Sequence, residues 1–212
     1  MEIIILIIAF ALTITIHEMS HAWMADRLGD PTARLSGRLS LNPLVHYDPV
    51  GSTLLIVTVI MTYLGALPFP FGWAKPVPID PYNLKDPKKD SALISLAGPL
   101  SNIIFATILS IIARIFPGGT VFNLVYPVVL LNIALAVFNL IPIHPLDGGK
   151  ILLGLMDDSD ARKMDLFLQR YGIMLLFLLI FPIFGGTSLI SIVINPVINF
   201  LIHILLPGAA LI

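Results

Sequence analysis

Cysteine is absent from this chain of 212 residues, so neither a disulfide nor a thiolate metal site is available, and any metal ligand must come from His, Asp or Glu. Charge is scarce. Asp, Glu, Lys and Arg make up 12% of the residues, against about 25% in soluble domains. The net charge of -1 leaves no basic surplus for nucleic acid, which is excluded as a partner on that ground. Glutamate is rarer still, present only as Glu2 and Glu18. Long polar stretches are missing too. The longest, Asp26 to Pro49, Phe69 to Asp90 and Asp157 to Arg170, are too short to bury a core and read as loops or interfacial pieces. No internal repeat is evident, and no basic n-region or small-residue cleavage site precedes His17, so the first segment reads as a retained anchor.

What the chain does have is hydrocarbon. It is 57% hydrophobic with a mean hydropathy of +0.95, which marks an integral membrane protein. Apolar stretches run from Ile3 to Trp23, Gly51 to Leu67, Leu93 to Phe116, Val121 to Ile141 and Tyr171 to Leu206. The last is broken by Pro182 and Gly185-Gly186 and is long enough for two spans around that turn. Leu166, Phe167 and Leu168, set among Arg162, Lys163, Asp165, Gln169 and Arg170, suggest a short surface helix before it. The expected fold is an all-α polytopic membrane protein, with about five full transmembrane helices plus one re-entrant or interfacial apolar segment. It forms one domain over residues 1–212, with a core at about 3–156 and C-terminal helices at about 160–206.

Near the end of the first stretch stands His17-Glu18-Met19-Ser20-His21, an H-E-x-x-H run. Histidines at i and i+4 share one helical face, where two imidazole nitrogens can reach one zinc ion. Glu18 beside them can take a proton from an activated water and deliver it to a leaving amine, the chemistry of a zinc peptidase. With 5 His and two Glu in the chain, a chance match is on the order of one in a thousand. A glutamate inside a bilayer-spanning helix is also costly unless it has a function.

Two histidines need a further ligand, and the candidate lies in Asn139-Leu140-Ile141-Pro142-Ile143-His144-Pro145-Leu146-Asp147-Gly148-Gly149. Pro142 and Pro145 interrupt the helix at the end of the fourth stretch, which frees the chain to turn an acid back into the protein. Asp147 is that acid. Gly148 and Gly149 carry no side chain to obstruct close approach. By itself this is a Pro and Gly loop with a surface aspartate; beside H-E-x-x-H it becomes a ligand candidate.

The pairing of H-E-x-x-H with a distant N-x-x-P-x-x-x-x-D-G resembles the site-2 protease family of intramembrane zinc metalloproteases. Between the two, Ala97-Gly98-Pro99-Leu100-Ser101-Asn102 resembles the family's A-G-P-x-x-N segment, and the resemblance covers roughly Ile3 to Gly149. It implies that His17, His21 and Asp147 bind one zinc ion per chain, with water in the open position and Glu18 as general acid and base. Asn102 and Asn139 match asparagines that position substrate or site, although a buried Asn also serves simply as a helix-to-helix hydrogen bond. The chain resembles the compact bacterial and archaeal branch, since no stretch is long enough for a PDZ domain or paired nucleotide-sensing CBS domains. Regulation by such domains is therefore not expected. His144 stands where the family more often has proline and reads as a loop histidine, with contact to the site as the alternative. His46 reads as a surface hydrogen-bonding residue, with approach to the mouth of the site as the alternative, and His203 as a packing or interfacial histidine.

Topology offers a separate argument. His17, His21 and Asp147 can meet at one depth only if the first and fourth stretches end on the same side, which three crossings satisfy and four do not. Gly51 to Leu67 should then enter and leave by one face, ending at Pro68 and Pro70. On that arrangement Arg114 alone of the 12 basic residues lies on the far side, so the N-terminus is expected outside and the site opening toward the cytoplasm. The expected location is the cell membrane, multi-pass, and the expected partners are the lipid bilayer and single-span or membrane-anchored protein substrates, often released by a first cut from an upstream protease. Substrates must unwind, which favours Gly, Pro or Asn in their span; extended pieces around Arg38 to Leu41 and Lys75 to Ile79 could pair with the unwound strand. Two other functions use the same residues. A metal or proton transporter would employ Glu18 as a relay, but a second acid deep in another span is missing; a metal-binding pseudoprotease would not need Glu18 at all.

Overall fold

The computed structural model describes residues 2–65, 71–116, 119–181 and 188–206, and among them every regular element is helical. The first helix, α1 (Glu2–Leu28), has two faces at helical spacing. Ile4, Ile8 and Leu12 point outward, 63%, 55% and 45% exposed, as lipid-facing residues do. Ala9, Thr13, His17, Ser20, His21 and Ala25 are buried on the other face. Small side chains there let a neighbouring backbone approach closely, which is how helices associate without a hydrophobic drive between them.

After α1 the chain turns through α2 (Thr32–Leu35) around a fully buried carboxylate, Asp30. Asp30 Oδ1 accepts from Thr32 Oγ1 (2.5 Å) and Asn83 Nδ2 (2.9 Å), and Oδ2 accepts from Asp80 N (2.8 Å). Burial pushes this carboxyl up, but the hydrogen bonds from Thr32, Asn83 and Asp80 together hold it below the usual aspartate range. Two distant loops are thereby joined at one ion.

The second apolar stretch forms α3 (Gly51–Tyr63), whose 13 residues give about 20 Å of helix, short of the ~30 Å hydrocarbon core. The chain then comes back along it. Thr58 Oγ1 donates to Phe71 O (2.6 Å) and accepts from Phe71 N (3.0 Å), Trp73 packs over Gly51, and Lys75 N donates to His46 O (2.9 Å). A Cβ on Gly51 would lie 2.4 Å from the Trp73 ring. The segment therefore returns to the level at which it began, as expected of a re-entrant element. Pro68 and Pro70 lie outside the described residues.

α4 (Pro87–Ile115) starts at Asp86, whose side chain accepts from Lys89 N, and its 29 residues make it the longest helix described. α5 (Gly119–Asn139) packs antiparallel to it and ends where Pro142 and Pro145 stop helical hydrogen bonding. α1, α4 and α5 are long and apolar enough to cross a membrane. α4 and α5 enclose an apolar core of Ala106, Ala113, Val129, Ile133 and Val137 with α8 (below).

Three features depart from the sequence reading. Asp147 opens a helix, α6 (Asp147–Leu155), rather than sitting in a loop. The surface stretch at Arg162 to Arg170 is not a separate short helix, since it continues without a break into the next apolar run as α7 (Asp158–Ile180). Finally, α7 and α8 (Leu189–Leu205) do not lead back to the side on which they start. Asp158, at the start of α7, pairs with Lys88 (2.5 Å) at one end of α4, whereas the Arg114 guanidinium at the other end donates to Leu205 O (3.0 Å) and Ile204 O at the end of α8. The pair thus makes one net passage along α4 where the length of the stretch suggested two. The polytopic, all-helical reading stands, and Pro182, Gly185 and Gly186 lie outside the described residues.

Candidate metal centre

α1 delivers His17 and His21 to one face one turn apart, and the rings meet edge to face with centroids 4.6 Å apart. α6 delivers Asp147 from the other side, because the Leu140–Leu146 turn reverses the chain at the end of α5. Asp147 Oδ2 lies 3.1 Å from His17 Nε2 and 3.3 Å from His21 Nε2. The three side chains offer ligand atoms all within 4.8 Å of one another, and both histidines are more than 90% buried.

The other ring nitrogens determine what those three atoms are. His21 Nδ1 is 2.7 Å from the Ile94 carbonyl oxygen, which can only accept, so Nδ1 carries the proton and a neutral His21 presents a bare Nε2. His17 Nδ1 is 2.7 Å from Asn102 Oδ1. Asn102 is wholly buried, and its Nδ2 donates to Thr13 O (3.1 Å) and Asn132 Oδ1 (2.7 Å), so its oxygen faces the imidazole. Three lone pairs therefore converge, and the buried Asp147 Oδ2 has no hydrogen-bond donor. Acceptors turned toward one another are stable only around a bound cation or a shared proton. The two separations from Asp147 Oδ2 suit zinc, because ligands at about 2.0 to 2.1 Å in a tetrahedron lie roughly 3.3 Å apart.

Backbone approach completes the pocket. A Cβ on Gly98 would stand 2.5 Å from His21 Nε2 and 2.7 Å from His17 Cε1, so α4 can come this close only without a side chain. A Cβ on Gly148 would lie 2.3 Å from Ile141 O, which ties the start of α6 to the preceding turn.

Glu18 is half-buried and makes no hydrogen bond among the described residues. Asn139 is not part of the cluster: it ends α5 with Nδ2 donating to Leu135 O (3.0 Å). His144 is exposed, its backbone packed against Gly172 of α7 and its side chain lining a cleft of about 450 Å³ with Gly149, Lys150 and Gln169. His203 is exposed on α8. His46 differs from the expected surface residue. It is 2% exposed, with Nε2 against Ser40 O (2.9 Å), and it helps Arg38, bonded to Lys75 O and Pro76 O (both 2.9 Å), hold the returning segment. The pieces around Arg38 and Lys75 are thus bound to each other, and neither is a strand among the described residues. Sequence reading missed Gly98, Thr13 and Asn132. The first sat in a motif already singled out; the other two were polar residues in apolar runs, a signal shared with many helix contacts.

Peptidase family M50 matches residues 5–125 and 117–182. The chain belongs to that family, the site-2 proteases. It is 34% identical over 206 residues to YwhC of Bacillus subtilis (strain 168), described as a candidate zinc metalloprotease, with 92% of this chain and 85% of YwhC covered. Rip2 of Mycolicibacterium smegmatis, described likewise, is 34% identical over 148 residues, covering 68% of this chain and 54% of Rip2. A zinc metalloprotease of Methanocaldococcus jannaschii, MJ0392, is 40% identical over 73 residues, which is 34% of this chain and 22% of that protein. No solved structure matches the chain. As a site-2 protease this chain is a multi-pass intramembrane zinc metalloprotease that acts on proteins in the membrane.

Proposed function

We propose that His17, His21 and Asp147 hold the zinc ion of this protease, that Glu18 is its general base and acid, and that Asn102 and Asn139 serve substrate and site. The observation that carries the reading is the meeting of three buried lone pairs at Asp147 Oδ2, with both Nδ1 atoms already committed. Zinc, when bound, supplies Lewis acidity to the scissile carbonyl and makes water acidic enough to react near neutral pH.

The chain's own residues do the rest. Glu18 removes a proton from the attacking water as its oxygen bonds to the carbonyl carbon; it returns that proton to the amide nitrogen as the carbon–nitrogen bond breaks. An uncommitted carboxylate suits this, since no hydrogen bond must be given up first. Asn102 keeps the His17 ring in place, and Asn139, whose Oδ1 makes no hydrogen bond among the described residues, is left to receive substrate backbone. The substrates are single-span or membrane-anchored proteins whose helices unwind locally, in some cases after a first cut by another protease. Residues 1–212 act as one domain. The site opens toward the cytoplasm: α3 with its returning segment removes one crossing, and Arg114 is then the one basic residue on the outside.

The test is purification, zinc quantification and cleavage of a panel of single-span membrane proteins by the wild type and E18Q. The variant should retain zinc and lose cleavage by about 10²–10⁴-fold. Near-normal turnover by E18Q would refute the assignment. For orientation, single cysteines at Ser36, Ser91 and Ser159 should label from the cytoplasmic side and one at Thr120 from outside; opposite-side labelling of Ser36 and Ser91 would show that α3 crosses.

A further inference from the structure

The His17 tautomer is set by a hydrogen-bond chain that reaches two helices away, to α5. Asn132 lies on α5, wholly buried, and its Nδ2 donates to Val128 O (2.8 Å) and Thr13 Oγ1 (2.8 Å). Val128 O can only accept, so the Asn132 amide has one orientation, with Oδ1 turned to Asn102. Asn102 must then donate through Nδ2, which it does to Asn132 Oδ1 and to Thr13 O, and its own Oδ1 is left for His17. An oxygen there demands a proton on Nδ1. The chain Val128 O, Asn132, Asn102, His17 has a single direction throughout, and its last member presents a lone pair at Nε2, 3.1 Å from Asp147.

We propose that Asn132 is a positioning residue of the metal centre: by polarising this buried chain it holds His17 in the tautomer that can ligate zinc. Without the Asn132 oxygen, Asn102 keeps Thr13 O as its one fixed acceptor, and the alternative amide orientation, with Nδ2 toward His17, becomes accessible. That orientation selects the proton on Nε2, where it blocks the metal. His21 has no such dependence, because a backbone carbonyl, Ile94 O, fixes its tautomer and cannot flip.

This inference rests on His17 being a ligand, and the experiment separates the two. Zinc affinity is measured by chelator competition for wild type, H17A and N132L, and imidazole ¹⁵N signals are recorded on the zinc-free proteins at one fixed pH, with the His17 signals assigned by their loss in H17A. In the wild type His17 should carry its proton on Nδ1. N132L should bind zinc about 10–100-fold more weakly and show less of the Nδ1 proton on His17 than the wild type. Unchanged zinc binding by H17A would defeat the ligand assignment itself. If H17A loses zinc while N132L loses only thermal stability, Asn132 is helix glue and the proposal is wrong. It is equally overturned if folded N132L loses zinc while His17 keeps its proton on Nδ1. Should N132L not fold, absence of a proton on His17 Nδ1 in the zinc-free wild type has the same force.

Discussion

Toward the C-terminal end of α4, the helices α4, α5 and α8 meet through Ala106, Ala113, Val129, Ile133, Ile194, Ile198 and Ile202, whose contacts are non-directional. Farther along the same α4 and α5, α1 replaces α8, and the contact is made by Thr13, His17, Asn102 and Asn132, whose five hydrogen bonds to one another and to backbone carbonyls of α1 and α5 all point one way. The apolar half is specified by volume, so a neighbour of similar size serves. The polar half is specified by direction, where one reversed amide alters the chemistry of an imidazole. A bilayer enforces the contrast, since unsatisfied polar groups there cost more than a methyl-sized void.

The largest effect expected from disturbing this contrast is at Gly98, where both requirements meet. G98V should lower zinc affinity by about 10²-fold or more and take cleavage to background, because a Cβ 2.5 Å from the His21 ring must displace that imidazole or push α4 away from α1. Wild-type zinc content in G98V would mean that the helices are free to separate. D147A comes next: it removes one of three donors, and zinc measured by atomic absorption should drop to well below one per chain. Full occupancy would shift the third ligand elsewhere.

In the apolar half the outcome should be the reverse. I133A leaves a cavity beside Val129 and Ile198 and should cost about 2–4 kcal/mol of stability in a detergent unfolding titration, with zinc affinity held within about threefold. A large loss of zinc in I133A would show that the two halves are not separable.

The smallest effect concerns Asp30, outside both. Its carboxyl is held below the usual range, so the stability it adds is complete above about pH 4 and is lost as pH falls through the lower folded-state value. Hydrogen-exchange protection at Asp80 to Asn83 should decline in that acidic window in the wild type. D30N should lose about 1–2 kcal/mol at neutral pH and show no such acid step.

The spans α1, α4 and α5 and the pairing of His17 with His21 were legible in the sequence for a physical reason, since hydropathy and i, i+4 spacing are local quantities; that Asp147 joins them was read from the resemblance of its D-G motif to the site-2 protease family. The re-entrant path of α3 was legible too, through the demand that three ligands share a depth. Asn132 was not, because its meaning depends on which carbonyl lies opposite its amide, a relation among α1, α4 and α5 that no local pattern carries. His46 read as a surface residue for a similar reason, since its burial comes from the returning segment at Lys75. The continuity of α7 was obscured by composition: its charged first half resembles an interfacial helix and its second half a span, yet nothing between them breaks the backbone.

Arg114 has a consequence for how the protein fits its lipid. A helix ending in hydrocarbon leaves its last carbonyls without donors, and most spans avoid this by continuing until they reach water. α8 has 17 residues, about 26 Å, and its terminal carbonyls at Ile204 and Leu205 are met by a guanidinium fixed to the far end of α4. Its end is therefore set by a neighbouring helix and not by the position of the lipid headgroups. In a thicker or thinner bilayer the ends of α4 and α8 should shift depth as one unit, leaving the membrane to deform around a boundary of constant height.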